Sequence, residues 1–334
     1  FDGNNIFNKD QQDMTDFSCR LEMEDPNRNG KGENTVASYR KAIDVLTEKS
    51  DTDIQLLAVP GLRHPSISDY AIDAVENRFD AMYIMDIEEE DLDNLVVTGS
   101  NIGTEGQLIS VDNTSKRLVA RNLDTSFAAV YFPDVVIQDP NTRTNVAVPP
   151  SVVALGAFSL NDRVGHPWFA PAGFSRGRLE SSIQQNVNLN QDNLDLLYGT
   201  DINPLRSHPQ NPEAGIVIWG QKTLQQANSA LDRVNVRRLL IDLRRKVKAV
   251  AHTFLFEPNR EDTLAKFSAQ VTPILANVQA QRGVSRFKVQ IDTSTTTKAD
   301  VENNTIRGKI YLQPVKSLEF VELSFVVANQ GADI

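Results

Sequence analysis

The apolar residues of the chain recur with two periods, one typical of helices and one typical of strands. Helical spacing predicts helices near 35–48, 67–78, 114–123, 234–254 and 261–280, and another that follows Pro150. Short apolar runs predict strands at 54–59, 81–85, 127–132, 216–220, 286–292, 306–315 and 318–328. Because helices and strands alternate along most of the chain, we expect an α/β fold with a central, mostly parallel sheet flanked by helices. A smaller α+β domain is expected to follow it.

This pattern divides the chain into three parts. Residues 1–33 are polar and read as an extended or loop segment, residues 34–230 as an α/β core domain, and residues 231–334 as a C-terminal α+β domain that ends in a strand. Within the core domain, residues 161–215 are rich in Gly, Pro and Asn. They are predicted to be mostly ordered loop, with a short helix near 178–186.

The helix predicted at 234–254 combines an apolar stripe with a basic face on the opposite side. That face consists of Arg237, Arg238, Arg244, Arg245 and Lys248. Arginine pairs bidentately with carboxylate or phosphate, so the face fits an acidic protein partner or nucleic acid. Ion pairs within the same subunit are the alternative interpretation. No aromatic residues are interleaved with these arginines, which disfavours single-stranded nucleic acid.

Charge is distributed unevenly along the chain. The whole chain has a net charge of −10, and its first 100 residues carry 22 acidic and 9 basic groups, a net charge of −13. Residues 101–334 carry 22 acidic and 25 basic groups, a net charge of +3. This segregation favours copies of the chain that meet head to tail, and it disfavours a nucleic-acid binder. No apolar run approaches the roughly 18 to 20 residues of a membrane span.

The sequence gives little support to catalysis or metal binding. Gly173–Gly177 matches the G-x-S-x-G pattern of a hydrolase, with Ser175 as the nucleophile, but that motif needs a preceding strand. The residues before it, Pro167–Pro171, include two prolines and cannot form a central strand, so a glycine-rich loop is the favoured interpretation. A serine hydrolase using Ser175 remains an alternative. A single cysteine, Cys19, excludes a zinc site built from several thiolates. We find no metal-binding histidine spacing and no nucleotide-binding glycine motif, and we predict no cofactor.

A series of short motifs runs along nearly the whole chain. They include Asp53–Gly61, Ala128–Pro133, Trp219-Gly220-Gln221-Lys222-Thr223, Asn235–Leu239 and Glu257-Pro258-Asn259. In this order they resemble the contractile tail sheath proteins of tailed bacteriophages. Lys222 departs from the family pattern, which usually has arginine there.

The resemblance implies a structural protein without catalysis. Such subunits form six-membered rings that stack helically around a tail tube, and their contraction drives the tube through the host cell envelope. The resemblance also implies a subtilisin-like topology without catalytic residues, and contacts with the tube, baseplate and tail terminator proteins. It implies neither direct nucleic-acid binding nor membrane insertion. The expected location is the virion tail, after assembly in the host cytoplasm. A tailocin or a type VI-like injection device is the alternative within the same resemblance.

Family members also link their subunits through terminal arms that add strands to a neighbour's sheet. The last predicted strand suits this role, because its apolar residues alternate with polar ones. These residues are Val321, Leu323, Phe325 and Val327. We predict that they and the five basic residues form the subunit interface. The chain begins at Phe1, and the resemblance implies that an N-terminal arm is missing.

Overall fold

The computed structural model describes residues 35–87, 110–208, 211, 213, 215–292, 294–317 and 319. Its helices are α1 Thr35–Thr47, α2 Pro65–Arg78, α3 Val111–Ala120, α4 Pro150–Val164, α5 Gly173–Arg176, α6 Gln191–Gly199, α7 Val234–Thr253, α8 Glu261–Ala280 and α9 Lys298–Glu302. Its strands are β1 Leu56–Ala58, β2 Met82–Asp86, β3 Ala128–Phe132, β4 Val135–Gln138, β5 Asn145–Val148, β6 Ser182–Gln185, β7 Ile202–Ser207, β8 Ile216–Ile218, β9 Val284–Gln290 and β10 Lys309–Pro314. The chain therefore has a mixed α/β fold.

A five-stranded sheet in the order β1-β2-β3-β7-β8 lies at the centre. Its first four strands are parallel, and β8 runs antiparallel to β7. Every residue of β2 and β3 is buried, as expected for parallel strands with helices on both faces. This agrees with the predicted mostly parallel sheet.

Successive side chains of the central strands alternate between two separate apolar clusters, one on each face of the sheet. Tyr83 and Met85 of β2 join the first cluster, which packs against α1, α2 and α3. Met82 and Ile84 point to the other face and join the second cluster, which includes α4 and the start of α7. Because successive side chains of a strand point to opposite faces, each central strand contributes apolar side chains to both faces of the sheet.

Asp86, the last residue of β2, has a buried carboxylate at the carboxyl end of the strand. It accepts hydrogen bonds from the Gly61 amide (3.0 Å), the Ser151 amide (2.8 Å) and the Ser151 hydroxyl (2.6 Å). Burial raises the pKa of Asp86 to about 6, and the hydrogen bonds only partly oppose this effect. Asp86 therefore joins the loop after β1 to the first turn of α4 at the edge of the sheet.

Two smaller antiparallel sheets complete the fold. One has the order β5-β4-β6. The other is the hairpin β9–β10, in which Ile310 pairs with Val289. Helices α7 and α8 cover one face of this hairpin through a third apolar cluster that includes Trp168, Leu243 and Leu275.

The prediction for residues 161–215 is wrong in two respects. The expected helix near 178–186 is absent from the structure, where Ser182–Gln185 forms β6 beside β4. The expected loop also contains α6 and β7, a strand of the central sheet. Polar composition hid these elements because tertiary contacts override intrinsic propensity.

Asn203 shows how such a contact works within β7. Its side-chain amide donates to the backbone carbonyls of Val130 (2.9 Å) and Lys222 (2.8 Å), and its oxygen accepts from the Lys222 amide (2.6 Å). Asn203 is buried, and these bonds satisfy its polar side chain. A residue that disfavours strands in general thus stabilises this one.

Gly283 provides a test of packing in the third cluster. A Cβ atom at this position would lie 2.6 Å from Cγ1 of Val278 and 3.1 Å from the ring of Trp168. We expect Gly283→Ala to lower the free energy of unfolding by about 1–3 kcal/mol, measured by urea denaturation. Gly156→Ala in α4 is the control, because nothing lies within 4 Å of the added methyl group. The control is expected to stabilise the protein by about 0.5–1 kcal/mol, and equal effects of the two changes would contradict the packing argument.

Candidate subunit interface

The interface predicted on α7 falls on a helix with two unlike halves. The first half, through Leu243, is buried on nearly all sides, whereas Arg244, Lys246 and Lys248 in the second half are exposed. The first half is surrounded because it contacts both the second and the third apolar cluster. The basic residues of the two halves therefore differ in their surroundings.

The expectation that all five basic residues share one exposed face is wrong for Arg237 and Arg238. Arg238 is 3% exposed, pairs with Asp162 at 2.5 Å and lies 4.9 Å from the ring centroid of Phe158. Arg237 is 9% exposed and lies 3.9 Å from the ring centroid of Phe127. Their guanidinium groups lie inside the subunit because the apolar clusters enclose this part of α7.

The five basic residues form two rows along the helix, because positions seven or eleven residues apart share one side. In the first row, Arg238 and Arg245 pair with Asp162 and Asp53 of the same chain. In the second row, Arg237, Arg244 and Lys248 form no ion pair with a carboxylate of the described residues. We call this second row the cationic row. The interpretation of ion pairs within one subunit therefore holds for the first row.

Solvation differs along the cationic row. Burial lowers the pKa of Arg237 to about 10, a change that the negative charge of Glu76 partly opposes. Arg244 is exposed and lies 5.2 Å from the ring centroid of Phe79. The row thus runs from the interior of the subunit to its surface. Its spacing is visible in the sequence, but the aromatic residues that it contacts are distant along the chain and were missed.

The other predicted interface element, with Val321, Leu323, Phe325 and Val327, lies outside the described residues. The described part of the chain reaches Glu319, which pairs with Arg233 at 2.7 Å. Nearby, the hairpin β9–β10 has no third strand among the described residues. Both outer edges of this small sheet are therefore without a strand partner in that part of the chain.

The motif residues occupy two surface regions. Glu257 and Pro258 are exposed between α7 and α8, and Asn259 donates a hydrogen bond to the Thr305 carbonyl (3.2 Å). Asn259 does not cap the next helix, because Arg260 occupies the N-cap position of α8 without a side-chain cap. The motif joins the helix pair to the segment before β10.

Trp219 and Gly220 lie together beside the end of the central sheet. Trp219 is 38% exposed, and its ring centroid lies 5.2 Å from that of Phe174 and 5.0 Å from that of His208. A Cβ atom at Gly220 would lie 2.8 Å from Oδ1 of Asn203, so glycine permits a close approach of the chain to β7.

Ser175 lacks the surroundings of a hydrolase nucleophile. It lies in α5, a single turn of helix, and Ala172 before it is not part of a strand. Within the described ranges, its hydroxyl forms no hydrogen bond, whereas activation requires a nearby base. The same part of the chain contains no cluster of three metal-binding side chains and no helix long and apolar enough to cross a membrane.

Comparison with known proteins gives matches to tail sheath proteins. Residues 226–328 match the phage tail sheath C-terminal domain. The tail sheath protein of Vibrio phage KVP40 is 31% identical over 271 residues, which are 80% of this chain and 40% of that protein. That of Enterobacteria phage T4 is 29% identical over 212 residues, 64% of this chain and 32% of that protein. The chain thus spans 40% or less of the length of these two relatives.

A solved structure has the same fold. The sheath complex of the extracellular contractile injection system PVC, in its contracted state, superposes with a TM-score of 0.66 at 22% identity. The alignment covers 88% of this chain and 75% of that chain. Together with the sequence relatives, it confirms the predicted resemblance to the sheath family.

Proposed function

The chain is a homologue of phage tail sheath proteins, and from that premise we propose that it is a structural subunit of a contractile tail sheath. The observation that carries the proposal is the 31% identity over 271 residues to a tail sheath protein. In this function the subunits form six-membered rings that stack helically around a tail tube. Contraction drives the tube through the host cell envelope for genome delivery.

The proposed function is mechanical and involves no enzymatic step. Its partners are other copies of the chain, the tail tube, and the baseplate and terminator proteins at the two ends. The protein acts in the virion tail after assembly in the host cytoplasm. We further propose that the core of residues 34–230 has a subtilisin-like topology without catalytic residues, and that residues 231–334 form the domain that links neighbours. The parallel strands β1, β2, β3 and β7 support the first of these proposals.

The linkage between subunits is strand addition to the hairpin β9–β10. Neither edge of this sheet has a strand partner among the described residues, so the backbone groups along an edge can pair with an incoming strand. The alternating apolar residues Val321, Leu323, Phe325 and Val327 would supply such a strand to a neighbouring subunit. Contacts that repeat head to tail without closing generate a helical assembly.

Electron microscopy of the full-length protein tests the proposal. We expect hollow cylinders, either spontaneously or after addition of the tail tube protein. A protein that stays monomeric at high concentration, with and without the tube, contradicts the proposal. The genes that neighbour this one distinguish a phage tail from a tailocin or an injection device, because only a phage requires capsid and portal genes.

A further inference from the structure

An apolar groove of about 550 Å³ lies beside the cationic row. One wall is α7, with Leu240 and Val247 next to the row. The facing wall consists of Phe79, Phe127, Leu275, Ile310 and Leu312. The groove therefore lies where the central sheet, the helix pair and the hairpin meet.

The cationic row places positive charge in this groove that forms no ion pair with a carboxylate of the described residues. Arg237, Arg244 and Lys248 all line it. Arg237 is more than nine-tenths buried, and its Nε atom has no hydrogen-bond partner within the part of the chain that the structure describes. Arg238 and Arg245 of the neighbouring row also have one buried nitrogen without a hydrogen-bond partner among the described residues, but both form an ion pair with a carboxylate. A buried guanidinium without a carboxylate is costly, and a carboxylate would relieve that cost.

We propose that this groove binds an acidic, partly apolar segment of a second copy of the chain, residues 13–25. This segment carries five acidic residues and one basic residue, and its apolar residues are Met14, Phe17, Leu21 and Met23. It therefore complements both the charge and the apolar walls of the groove. The inference rests on the proposed function, because it requires copies of the chain to meet.

The dimensions of the row match part of this segment. From Arg237 to Lys248 the helix rises about 16 Å, a distance that about five extended residues span. Leu21-Glu22-Met23-Glu24-Asp25 has this length. In extended conformation Glu22 and Glu24 lie on one side and Leu21 and Met23 on the other. The carboxylates can then face the cationic row while the apolar side chains face Ile310 and Leu312.

Photo-cross-linking of the full-length protein tests this docking. Benzoylphenylalanine replaces Val247 in the groove, and equal amounts of ¹⁵N-labelled and unlabelled protein are mixed before assembly. After irradiation and digestion, mass spectrometry should identify cross-links to residues 13–25. About half of them should join a labelled to an unlabelled peptide, as random pairing of copies requires.

Charge reversal of the exposed part of the row provides the matched comparison. Arg244→Glu with Lys248→Glu should lower the yield of these cross-links about tenfold. Arg143→Glu with Lys266→Glu makes the same change in net charge at exposed positions outside the groove and should leave the yield unchanged.

The outcomes separate this inference from the proposed function. The inference alone is overturned if cylinders form but the cross-links reach other residues or join only peptides of one isotopic form. It is also overturned if the cross-links persist after charge reversal of Arg244 and Lys248. Mixed-isotope cross-links to residues 13–25 without cylinders support the docking and overturn the sheath function. Absence of both overturns both proposals.

Discussion

Arg238→Glu is expected to lower the free energy of unfolding by about 3–5 kcal/mol. Arg238 is buried, and Asp162, at 2.5 Å, is its one carboxylate partner among the described residues. The substitution replaces the attraction between the buried Arg238 and the half-buried Asp162 by repulsion between two carboxylates, and it removes the contact of the guanidinium with the ring of Phe158. Urea denaturation followed by circular dichroism measures the change.

Arg244→Glu is the matched control, six residues further along α7. Arg244 is exposed and has no carboxylate partner among the described residues, so its reversal should cost less than about 1 kcal/mol. If both variants unfold at the same urea concentration, the assignment of Arg238 to the interior is wrong. Interface experiments should therefore reverse Arg244 and Lys248, because reversal of Arg237 and Arg238 damages the monomer itself.

Asp86→Ala is expected to lower the free energy of unfolding by about 3–5 kcal/mol. The substitution leaves the amide of Gly61 and both the amide and the hydroxyl of Ser151 without their acceptor in a buried site. Asp86→Asn keeps one side-chain oxygen and the size of the side chain, so it should cost about 1–3 kcal/mol. Equal stability of Asp86→Ala and the wild type would show that these bonds contribute nothing.

The pH dependence of stability provides a second measurement at Asp86. Its pKa is about 6 in the folded protein, above the usual value of 3.8, so the folded state binds this proton more tightly than the unfolded state. The contribution of Asp86 is therefore greatest below about pH 4 and falls by up to about 3 kcal/mol as the pH rises to about 6. The difference between wild type and Asp86→Asn isolates this slope from other carboxylates. A difference that stays constant between pH 4 and 6 would contradict the raised pKa.

Elements with strong periodicity were predicted almost to their ends. The helix predicted at 261–280 is α8, Glu261–Ala280, and the helix predicted at 234–254 is α7, Val234–Thr253. In both, the apolar stripe is long enough to specify the helix without knowledge of its neighbours. The buried strands β2 and β3 were also predicted, because they are short apolar runs between helices.

What the sequence could not predict depends on contacts between distant residues. Strand β7 contains Asn203 and Pro204, which disfavour a central strand, and its stability comes from bonds to Val130 and Lys222. The burial of Arg237 likewise depends on Phe127, more than a hundred residues away. Helical periodicity placed the basic residues opposite the apolar stripe, but it could not show that two protein surfaces enclose the first half of α7.

Helix α7 also determines how a load passes through the subunit. Val234 and Ile241 pack in the second apolar cluster, and Leu239 and Leu243 pack in the third. One continuous helix thus anchors both the central sheet and the hairpin within three turns. Because packed protein interiors have low compressibility, a force on the hairpin is transmitted through α7 to the central sheet with little deformation. Work done at one end of the subunit is therefore delivered at the other with little lost to internal stretching.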